Sequence, residues 1–591
     1  MNYREMYQKV KGTARRMLPF YLFALLPVSA FAQGDDIIRV NQVAFFPQQE
    51  KIAVVDNGGK KVTLSVRDVQ TGKVVGKSRF VRISESPWSK KKRVIVDFSH
   101  ITMPGRYELV YKDEVMPIEI KANALTGLTQ GAIKSFYLNR SGMPIDAKYA
   151  GVWARPLGHP DTLVLIHPSA VSPGRPAGAH ISSPYGWYDA GDFNKYIVNS
   201  AYSVSLMLFS YEQNKAYFDA LKVDIPEQGN KTSDLLDELM YNLKWMLTMQ
   251  DPYDGGVYHK LTTPNFEGMV MPVECHQQRY VVQKTVTASY DFAACMAQAA
   301  RIYKGNKDYP CFSEHAARAA LAAYHWAEQH PRAFYNQREL SKNFQPAVTT
   351  GEYGDGNAND ERFWAATELY LLTEDPHFRE VAQQMQPLEF TVPAWGNVAT
   401  FGTFAWLSCP DDELGKVNRE LLLNFAKAKL AEIPASGFNT PSGNTPRSFG
   451  WGCLSEEFGV NGMIHLYAYK LTGDAAYLRA AQDNMDYILG RNATGYCYVT
   501  GFGTKSPMHP HHRLSTADGI EAPIPGMLVG GPNPGQQDRH ETGVTYPSSQ
   551  PDESYTDVVP SYASNEIAIN WSAALVALSG WLDAVSTVST P

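Results

Sequence analysis

The segment Ser233–Gln250, SDLLDELMYNLKWMLTMQ, carries the pattern that decides the fold class. Its apolar residues recur every three to four positions, which is the period of an amphipathic helix. Ser233 is a favoured N-cap residue, and the acids that follow it suit the positive end of a helix dipole. The pattern therefore predicts a helix over this segment.

Similar helical periodicity dominates the chain after about Ala122, and it indicates a long succession of antiparallel helices. Periodicity alone does not separate a closed helical toroid from a helical solenoid. The irregular stretches Met143–Tyr188, Asp251–Gln283 and Gly495–Tyr562 exceed ordinary connections, which favours functional loops. The helical stretches are Thr287–Tyr303, Ser313–Gln329, Asp360–Leu372, Leu414–Ile433, Val460–Leu471, Ala475–Leu489 and Asn565–Val585.

The region before these helices, from Ile37 to about Lys121, has an apolar period of two instead. Val62, Leu64 and Val66 alternate with polar residues, and turn residues such as Asn57-Gly58-Gly59 separate the short runs. Short strands with frequent turns are typical of a small all-β sandwich.

The first 32 residues have the pattern of a signal peptide. Basic residues precede a short apolar run from Met17 to Val28, and Ala30-Phe31-Ala32 fits a cleavage site before Gln33. The run is short for a membrane span, and no later segment has the pattern of one. The sequence thus predicts export, to the periplasm or outside the cell.

Composition excludes some classes of protein. Apolar residues make up 44% of the 591 residues and charged residues 19%, which is typical of a folded chain. The net charge of −6 argues against nucleic acid or an anionic membrane as partner. Six scattered cysteines do not form a disulfide framework. The aromatic content of 12% is mostly core, although such residues also line sugar-binding grooves.

The segment Trp187–Tyr196, WYDAGDFNKY, is the first candidate for chemistry. Asp189 and Asp192 are close enough in sequence to share one water, one as a base and the other holding it. The alternative is a helix start capped by Asp192 or Asn194, because Asp and Asn are favoured caps.

The segment Lys505–Arg513, KSPMHPHHR, places three histidines and an arginine in a proline-bounded loop. One interpretation is a metal site. The other is hydrogen bonding to a neutral polar substrate. The residues alone do not decide between the two.

The segment Tyr562–Trp571, YASNEIAINW, places Glu566 among aromatic residues. Such surroundings raise the pKa of a carboxyl group and suit a general acid. An acid at a helix N-terminus is the alternative. Paired carboxylates in separate segments fit glycosidic hydrolysis, in which one protonates the leaving oxygen and the other activates water.

Together the three segments resemble glycoside hydrolase family 9, over nearly the whole mature chain. The resemblance is to the branch with an immunoglobulin-like domain before the barrel. After the signal peptide at 1–32, it implies a mainly α fold with an immunoglobulin-like β-sandwich at 33–121 and an (α/α)6-barrel catalytic domain at 122–591.

The resemblance also implies a role for each site residue. Asp192 is expected to be the general base, with Asp189 as its partner in holding water, and Glu566 the general acid. The family inverts, so the base and acid carboxyls are expected about 6.5–9.5 Å apart. The residues expected to bind substrate are His511, Arg513, Tyr562, Trp571 and Trp187.

No cofactor is expected for the chemistry, but relatives bind metals. Asp360 and Glu361 match calcium ligands of relatives, and Asn397 stands where a later acid is usual. Zinc is not expected, because Arg140-Ser141-Gly142 and Leu157-Gly158-His159 lack the cysteines that bind it in some relatives.

The resulting expectation is an inverting endo-β-1,4-glucanase that hydrolyses cellulose-type, mixed-linkage or xyloglucan polysaccharides. One alternative is an exo-acting glucanase or β-glucosidase of the same family. The other is a catalytically inactive glycan-binding protein. The expected partner is a β-glucan chain or oligosaccharide, without nucleic acid or membrane insertion.

Overall fold

A computed structural model describes residues 37–386 and 389–588. The predicted signal peptide lies outside the described residues. Within them, no helix is long and apolar enough to cross a membrane. All six cysteines fall in the described ranges, and each is a free thiol.

The N-terminal part is a β-sandwich, as the period-two pattern predicts. One sheet has the order β1-β2-β6-β5 and the other β4-β3-β7-β8. Alternating side chains such as Leu64, Val66, Val94 and Val96 are buried between the sheets. The strands are β1 Ile38–Arg39, β2 Ile52–Val55, β3 Ser65–Asp68, β4 Val74–Lys77, β5 Arg79–Glu85, β6 Lys92–Asp97, β7 Gly105–Tyr111 and β8 Glu114–Ile120.

The rest of the chain is mainly helical, and twelve of its helices build a closed double ring, which confirms the predicted barrel. They are α1 Thr126–Leu138, α3 Ile197–Gln213, α5 Asp234–Thr248, α6 Val286–Ile302, α7 Phe312–Gln329, α9 Asn359–Thr373, α10 Pro376–Gln384, α11 Ala399–Trp406, α12 Glu413–Leu430, α13 Asn461–Thr472, α14 Ala475–Ile488 and α18 Ile569–Val588. The shorter helices are α2 Ala147–Ala150, α4 Lys215–Ala220, α8 Gln337–Asn343, α15 Arg513–Ala517, α16 Arg539–Thr542 and α17 Tyr562–Asn565.

Six helices form the inner ring: α18, α3, α6, α9, α11 and α13 pack on one another in that order. The stacked rings of Phe404 and Tyr467 join α11 to α13, and Tyr467 meets Trp581 of α18 to close the ring. Helix α3 is buried on all sides from Ile197 to Tyr211, as an interior helix must be. Outer helices such as α7 have one buried stripe and an exposed face.

The segment quoted first forms α5, but its start differs from the prediction in one detail. Ser233 stands at the N-cap position without capping through its side chain. Its hydroxyl donates instead to the carbonyl of Phe218 at 2.9 Å. The first-turn acid Asp234 accepts from the Val223 amide, so this carboxylate ties α5 to the preceding loop.

The long irregular stretches contain a small five-stranded sheet that periodicity does not reveal. Its order is β10-β9-β13-β12-β11. Each strand has only two or three residues, too few for a pattern to appear. The sheet matters because β11 directly follows the DAGD segment. The strands are β9 Val164–Ile166, β10 His180–Ile181, β11 Lys195–Tyr196, β12 Lys260–Thr262 and β13 Tyr280–Val281.

The β-sandwich is fastened to the barrel through buried polar groups. Asn41 donates to Asp486 of α14 at 2.7 Å, and the Gln42 amide donates to the carbonyl of Leu489 at 3.0 Å. Buried Arg93 stacks over the ring of Phe438, 4.8 Å from its centre. These contacts make the joint part of the protein interior.

Candidate active site

The two carboxylates with the strongest chemical pattern lie at the start of neighbouring inner helices. Asp192 precedes α3, and Glu566 precedes α18, which packs against α3. The Ile569 amide at the start of α18 donates to the carbonyl of Asp189 at 2.9 Å, which joins the two segments directly. Ring closure of the barrel therefore brings together residues more than 370 positions apart in the chain.

Asp192 is held on one side by three donors. Its Oδ2 accepts from the side chain of Asn194 at 2.5 Å, the Asn194 amide at 3.3 Å and the Tyr196 hydroxyl at 3.2 Å. No described residue donates to Oδ1, so that oxygen is available to a water. The capping alternative fails, because the N-cap residue of α3 is Tyr196 and it makes no side-chain cap.

Asp189 lies deeper, and both of its oxygens accept hydrogen bonds. Asn199 donates to Oδ1 at 2.8 Å, and the Tyr353 hydroxyl donates to Oδ2 at 2.6 Å. Burial first, and then the neighbouring Asp192 carboxylate, raise the pKa of Asp189. Asp189 and Asp192 therefore resist being ionised together.

Glu566 has the properties of a proton donor. Burial raises its pKa to about 8, and the negative charge of Asp192 adds to the effect. Its Oε1 accepts from the Gly191 amide at 3.2 Å, and its own carbonyl accepts from the Gly530 amide at 3.0 Å. At neutral pH the carboxyl thus carries a proton that can be donated.

Gly191 is where the two catalytic segments touch. A Cβ at this position would lie 2.4 Å from the His511 carbonyl oxygen and 3.0 Å from Oε1 of Glu566. Only glycine lets the backbone come this close. The missing side chain therefore sets the distance at which the base-bearing loop meets the acid.

His511 lies beside both segments and has a defined tautomer. Its Nδ1 is 2.7 Å from the Val559 carbonyl oxygen, which can only accept, so Nδ1 carries the proton. Burial lowers the pKa of His511, which keeps the ring neutral. Its Nε2 is then an acceptor, suited to a sugar hydroxyl.

Arg513 braces two loops of the site. Its Nη1 donates to the Gly191 carbonyl at 2.6 Å, and its Nε and Nη2 donate to the Glu267 carbonyl at 3.0 and 2.8 Å. The ring of exposed Phe266 lies 5.6 Å from the guanidinium carbon. Three of its donors thus serve backbone carbonyls, and a sugar contact by Arg513 stays a prediction.

Of the aromatic residues predicted to bind substrate, Tyr562 lies at the surface. Its hydroxyl donates to Glu541 at 2.6 Å, and its ring lies 5.7 Å from that of Trp451 at an angle of 32°. Trp451 is 46% exposed. Exposed aromatic rings are surfaces on which pyranose rings stack, and we call this pair of rings the Trp451–Tyr562 face. Trp451 was not predicted from the sequence, because it stands outside the three segments with a recognisable motif.

The other two predicted aromatic residues are buried. The structure does not bring Trp187 to the cleft: it is fully buried, packs on Phe136 at 4.6 Å and donates from its indole to Glu238 at 2.8 Å. Its position inside the barrel leaves no ring face for a sugar. Trp571 is 5% exposed and packs under Gly452 and Gly530.

The predicted calcium residues Asp360 and Glu361 lie at the start of α9, near a buried acid of α6. Both oxygens of Glu361, and both of Asp291 on α6, are buried without a hydrogen-bond partner. Asp360 accepts from the Val398 amide at 2.8 Å, while exposed Asn397 accepts from the Ala399 amide. Burial first, and then the negative charges of neighbouring acids such as Asp360, raise the pKa of Asp291 and of Glu361 well above the ordinary values.

These oxygens fit a hard cation, because interior carboxylates without donors must either bind a cation or be protonated. In the described part of the chain, however, no three His, Cys, Asp or Glu side chains already converge as metal ligands. The absence of zinc stays a prediction.

Comparison with known protein families gives two matches. A model described as glycosyl hydrolase family 9 matches residues 126–579. A second model, described as the cellulase N-terminal Ig-like domain, matches residues 33–115. The two matches fall on the barrel and on the β-sandwich respectively.

Individual relatives match over nearly the whole chain. A xyloglucan-specific endo-β-1,4-glucanase from Bacteroides ovatus is 54% identical over 563 residues, which is 94% of this chain and 95% of the relative. Endoglucanase D from Acetivibrio thermocellus is 32% identical over 93% of this chain and 84% of its own.

Solved structures share the fold. A Bacteroides ovatus GH9 structure superposes with a TM-score of 0.88 at 52% identity, covering 93% of this chain and all of that one. A thermostable endoglucanase from Alicyclobacillus acidocaldarius gives a TM-score of 0.82 at 27% identity, over 93% of this chain and 99% of its own.

Proposed function

The chain belongs to glycosyl hydrolase family 9 and is an endo-β-1,4-glucanase, and we propose that it cuts xyloglucan with inversion, using Asp192 as base and Glu566 as acid. The observation that carries the assignment of roles is the pair itself. Asp192 has one oxygen, Oδ1, to which no described residue donates, and burial raises the pKa of Glu566 to about 8.

The reaction follows from these two protonation states. Oδ1 of Asp192 takes a proton from a water, whose oxygen attacks the anomeric carbon. The bond from that carbon to the bridging oxygen breaks, and Glu566 gives its proton to this leaving oxygen. The product has the opposite anomeric configuration. Asp192 ends protonated and Glu566 ionised, and exchange with solvent resets both.

Two neighbours support these steps. Asp189 is fixed by Asn199 and Tyr353, and it is the second acceptor for the attacking water. Neutral His511 presents Nε2 as an acceptor for a sugar hydroxyl near the cleaved bond. Arg513 contributes by holding the Gly191 carbonyl, and with it the loop that carries the base.

Xyloglucan is proposed as substrate because the 54% identical relative is described as specific for it. The Trp451–Tyr562 face provides a stacking platform for a backbone glucose. Phe266, exposed above Arg513, provides a second apolar surface next to the base-bearing loop. We assign this second surface to the branch sugars, which project from the glucan backbone.

The proposed specificity and stereochemistry are tested together by following products on xyloglucan, carboxymethylcellulose and mixed-linkage β-glucan by NMR. We expect xyloglucan to give the highest kcat/KM, a rapid fall in viscosity and α-anomers as the first reducing ends. A β-anomer in the first minutes would contradict inversion. A higher rate on carboxymethylcellulose would contradict the substrate while leaving the catalytic pair intact.

We propose further that calcium binds at Asp360 and Glu361, with Asp291 as an additional carboxylate. The unpaired oxygens of Glu361 and Asp291 support this. When bound, calcium would neutralise the repulsion between α6 and α9 and stiffen the start of α9. Tyr353, which holds Asp189, lies in the loop that leads into this helix.

Calcium is expected to stabilise the folded protein. Millimolar CaCl2 should raise Tm by about 2–5 °C over EDTA, because a ligand bound only to the folded state adds stability by mass action. Glu361→Gln should abolish the difference, and Glu456→Gln, a control on another segment, should keep it. If calcium instead leaves the wild-type Tm unchanged while Glu361→Gln raises the Tm, that result would mean that Glu361 and Asp291 share a proton and do not bind calcium.

A further inference from the structure

Lys260 is a fully buried lysine next to the site, and the reaction described above does not use it. Its Nζ donates to Oε1 of Gln337 at 2.7 Å, to Oγ1 of Thr350 at 3.0 Å and to the Gly351 carbonyl at 2.6 Å. All three acceptors are neutral. Every N–H of the ammonium thus has a hydrogen-bond acceptor, but none of these acceptors carries a negative charge.

This arrangement differs from that of two other buried lysines near the site, Lys195 and Lys284. Lys195 contacts Asp161 at 2.8 Å, and Lys284 contacts Asp251 at 2.6 Å. Among the described residues, no carboxylate oxygen lies within 4 Å of the Lys260 ammonium. Burying a positive charge without an opposite charge beside it is costly. A buried ammonium in such a position therefore needs a favourable interaction with a carboxylate farther away.

The carboxylate with the largest favourable effect on Lys260 is Asp192. The two are connected through Tyr196, which pairs directly opposite Lys260 across β11 and β12. The ammonium lies 5.5 Å from the centre of the Tyr196 ring, whose hydroxyl donates to Asp192 at 3.2 Å. The Tyr335 ring, 5.3 Å from the ammonium, covers it further.

We propose that Lys260 is a positioning residue for the general base: its buried ammonium lies against the ring of Tyr196 and holds this phenol as a hydrogen-bond donor to Asp192. The proposal rests on the assignment of Asp192 as base. It explains why Gln337, Thr350 and Gly351 surround the ammonium, because neutral acceptors hold it without cancelling its charge.

The titratable groups around Asp192 include two other carboxyls. Asp189 and Glu566 both face it, and its negative charge contributes to the raised pKa of each. Arg513 is the cation beside this loop, and it donates to the Gly191 carbonyl. Neutral His511 and the protonated phenol of Tyr196 add hydrogen-bonding groups but no positive charge.

Around Lys260 itself, Glu352 is the other carboxylate that acts on it, while buried His259 is neutral and Tyr335 and Tyr353 stay protonated. Burial lowers the pKa of Lys260 to about 7. The ammonium therefore persists across the acidic range in which the base must lose its proton.

The test is the pH profile of kcat/KM for Lys260→Met in the full chain. This change keeps the apolar stem and removes the charge. We expect the acid limb to move up by about one pH unit, because a carboxylate that loses a hydrogen-bond donor is protonated more easily. The KM for xyloglucan should stay close to the wild-type value, and Lys260→Arg should return the limb toward its wild-type position.

Lys51→Met is the matched control. Lys51 is also fully buried, donates to the carbonyls of Pro47 and Gln49, and has a lowered pKa, but it lies in the β-sandwich. Lys51→Met should lower the stability of the protein without moving the acid limb of its kcat/KM profile. An unmoved limb in Lys260→Met, or an equal shift in Lys51→Met, would overturn the proposal.

Two further variants keep the test decisive. If Lys260→Met does not fold, Tyr196→Phe removes the donor to Asp192 and should raise the acid limb in the same direction; an unchanged limb there also overturns the proposal. Asp192→Asn separates the two hypotheses. If that variant keeps the acid limb, Asp192 is not the base and the proposed function fails whatever Lys260 does.

Discussion

Glu566→Gln is expected to lower kcat on xyloglucan by about 10³–10⁴-fold, because an amide cannot give a proton to the leaving oxygen. The isosteric side chain still accepts from the Gly191 amide, so substrate binding by calorimetry should be unchanged. The basic limb of the wild-type pH profile, expected near the Glu566 pKa of about 8, should disappear.

An activated aryl glycoside provides the control for this variant. A dinitrophenolate leaves without protonation, so Glu566→Gln should lose far less activity on a dinitrophenyl cello-oligosaccharide than on xyloglucan. Equal losses on both substrates would contradict the role of Glu566 as acid.

Stability provides a second control. The folded-state pKa of Glu566 is raised, so its protonated form contributes stability that is lost as pH rises through about 8. The variant should therefore unfold at a higher temperature than the wild type above pH 8.

Asp192→Asn is expected to lower kcat by about 10²–10⁴-fold, because the water then has no base to accept its proton. The neutral side chain still fits among Asn194 and Tyr196, so the fold and the affinity for xyloglucan should remain. The acid limb of the pH profile should flatten. Single-turnover kinetics with the natural polymer measure the loss of the chemical step directly.

Asp552→Asn is the matched control for this change. Asp552 is also buried, and burial raises its pKa to about 6, but it lies at the joint with the β-sandwich near Ser86. Its variant should keep the wild-type kcat. If Asp192→Asn keeps near wild-type rates while Asp189→Asn loses them, the roles of the two acids are exchanged.

Periodicity predicted the helical part of the fold well, because barrel helices bury long stripes that recur along the chain. The helix around Leu235–Leu247 is found within two residues of the predicted segment at each end. The sheet of β9–β13 could not be predicted in this way, because its strands are too short to show a period. Closure of the inner ring depends on contacts such as Phe404 with Tyr467, which no local pattern specifies.

Site residues could be predicted from the sequence where they stand in recognisable motifs. They could not be predicted where their role depends on whether the side chain is buried. Asp192 and Glu566 stand in distinctive segments, and the structure brings them together at Gly191. Trp187 stands in the same dense segment, yet its ring points into the core, because whether a ring faces a cleft depends on the barrel around it. Lys260 and Asp291 were missed for the converse reason: each is a single charged residue whose importance comes from having no opposite charge beside it.

The joint between sandwich and barrel has a consequence for how this enzyme can evolve. Asn41, Gln42 and Arg93 complete the interior of the barrel, so the β-domain is not an interchangeable appendage. A recombination event at the domain border would remove the Asn41 donor from Asp486 and the Gln42 donor from the Leu489 carbonyl, and it would expose to water the face of the barrel that the sandwich now covers. We therefore expect the two domains to be inherited together rather than exchanged separately.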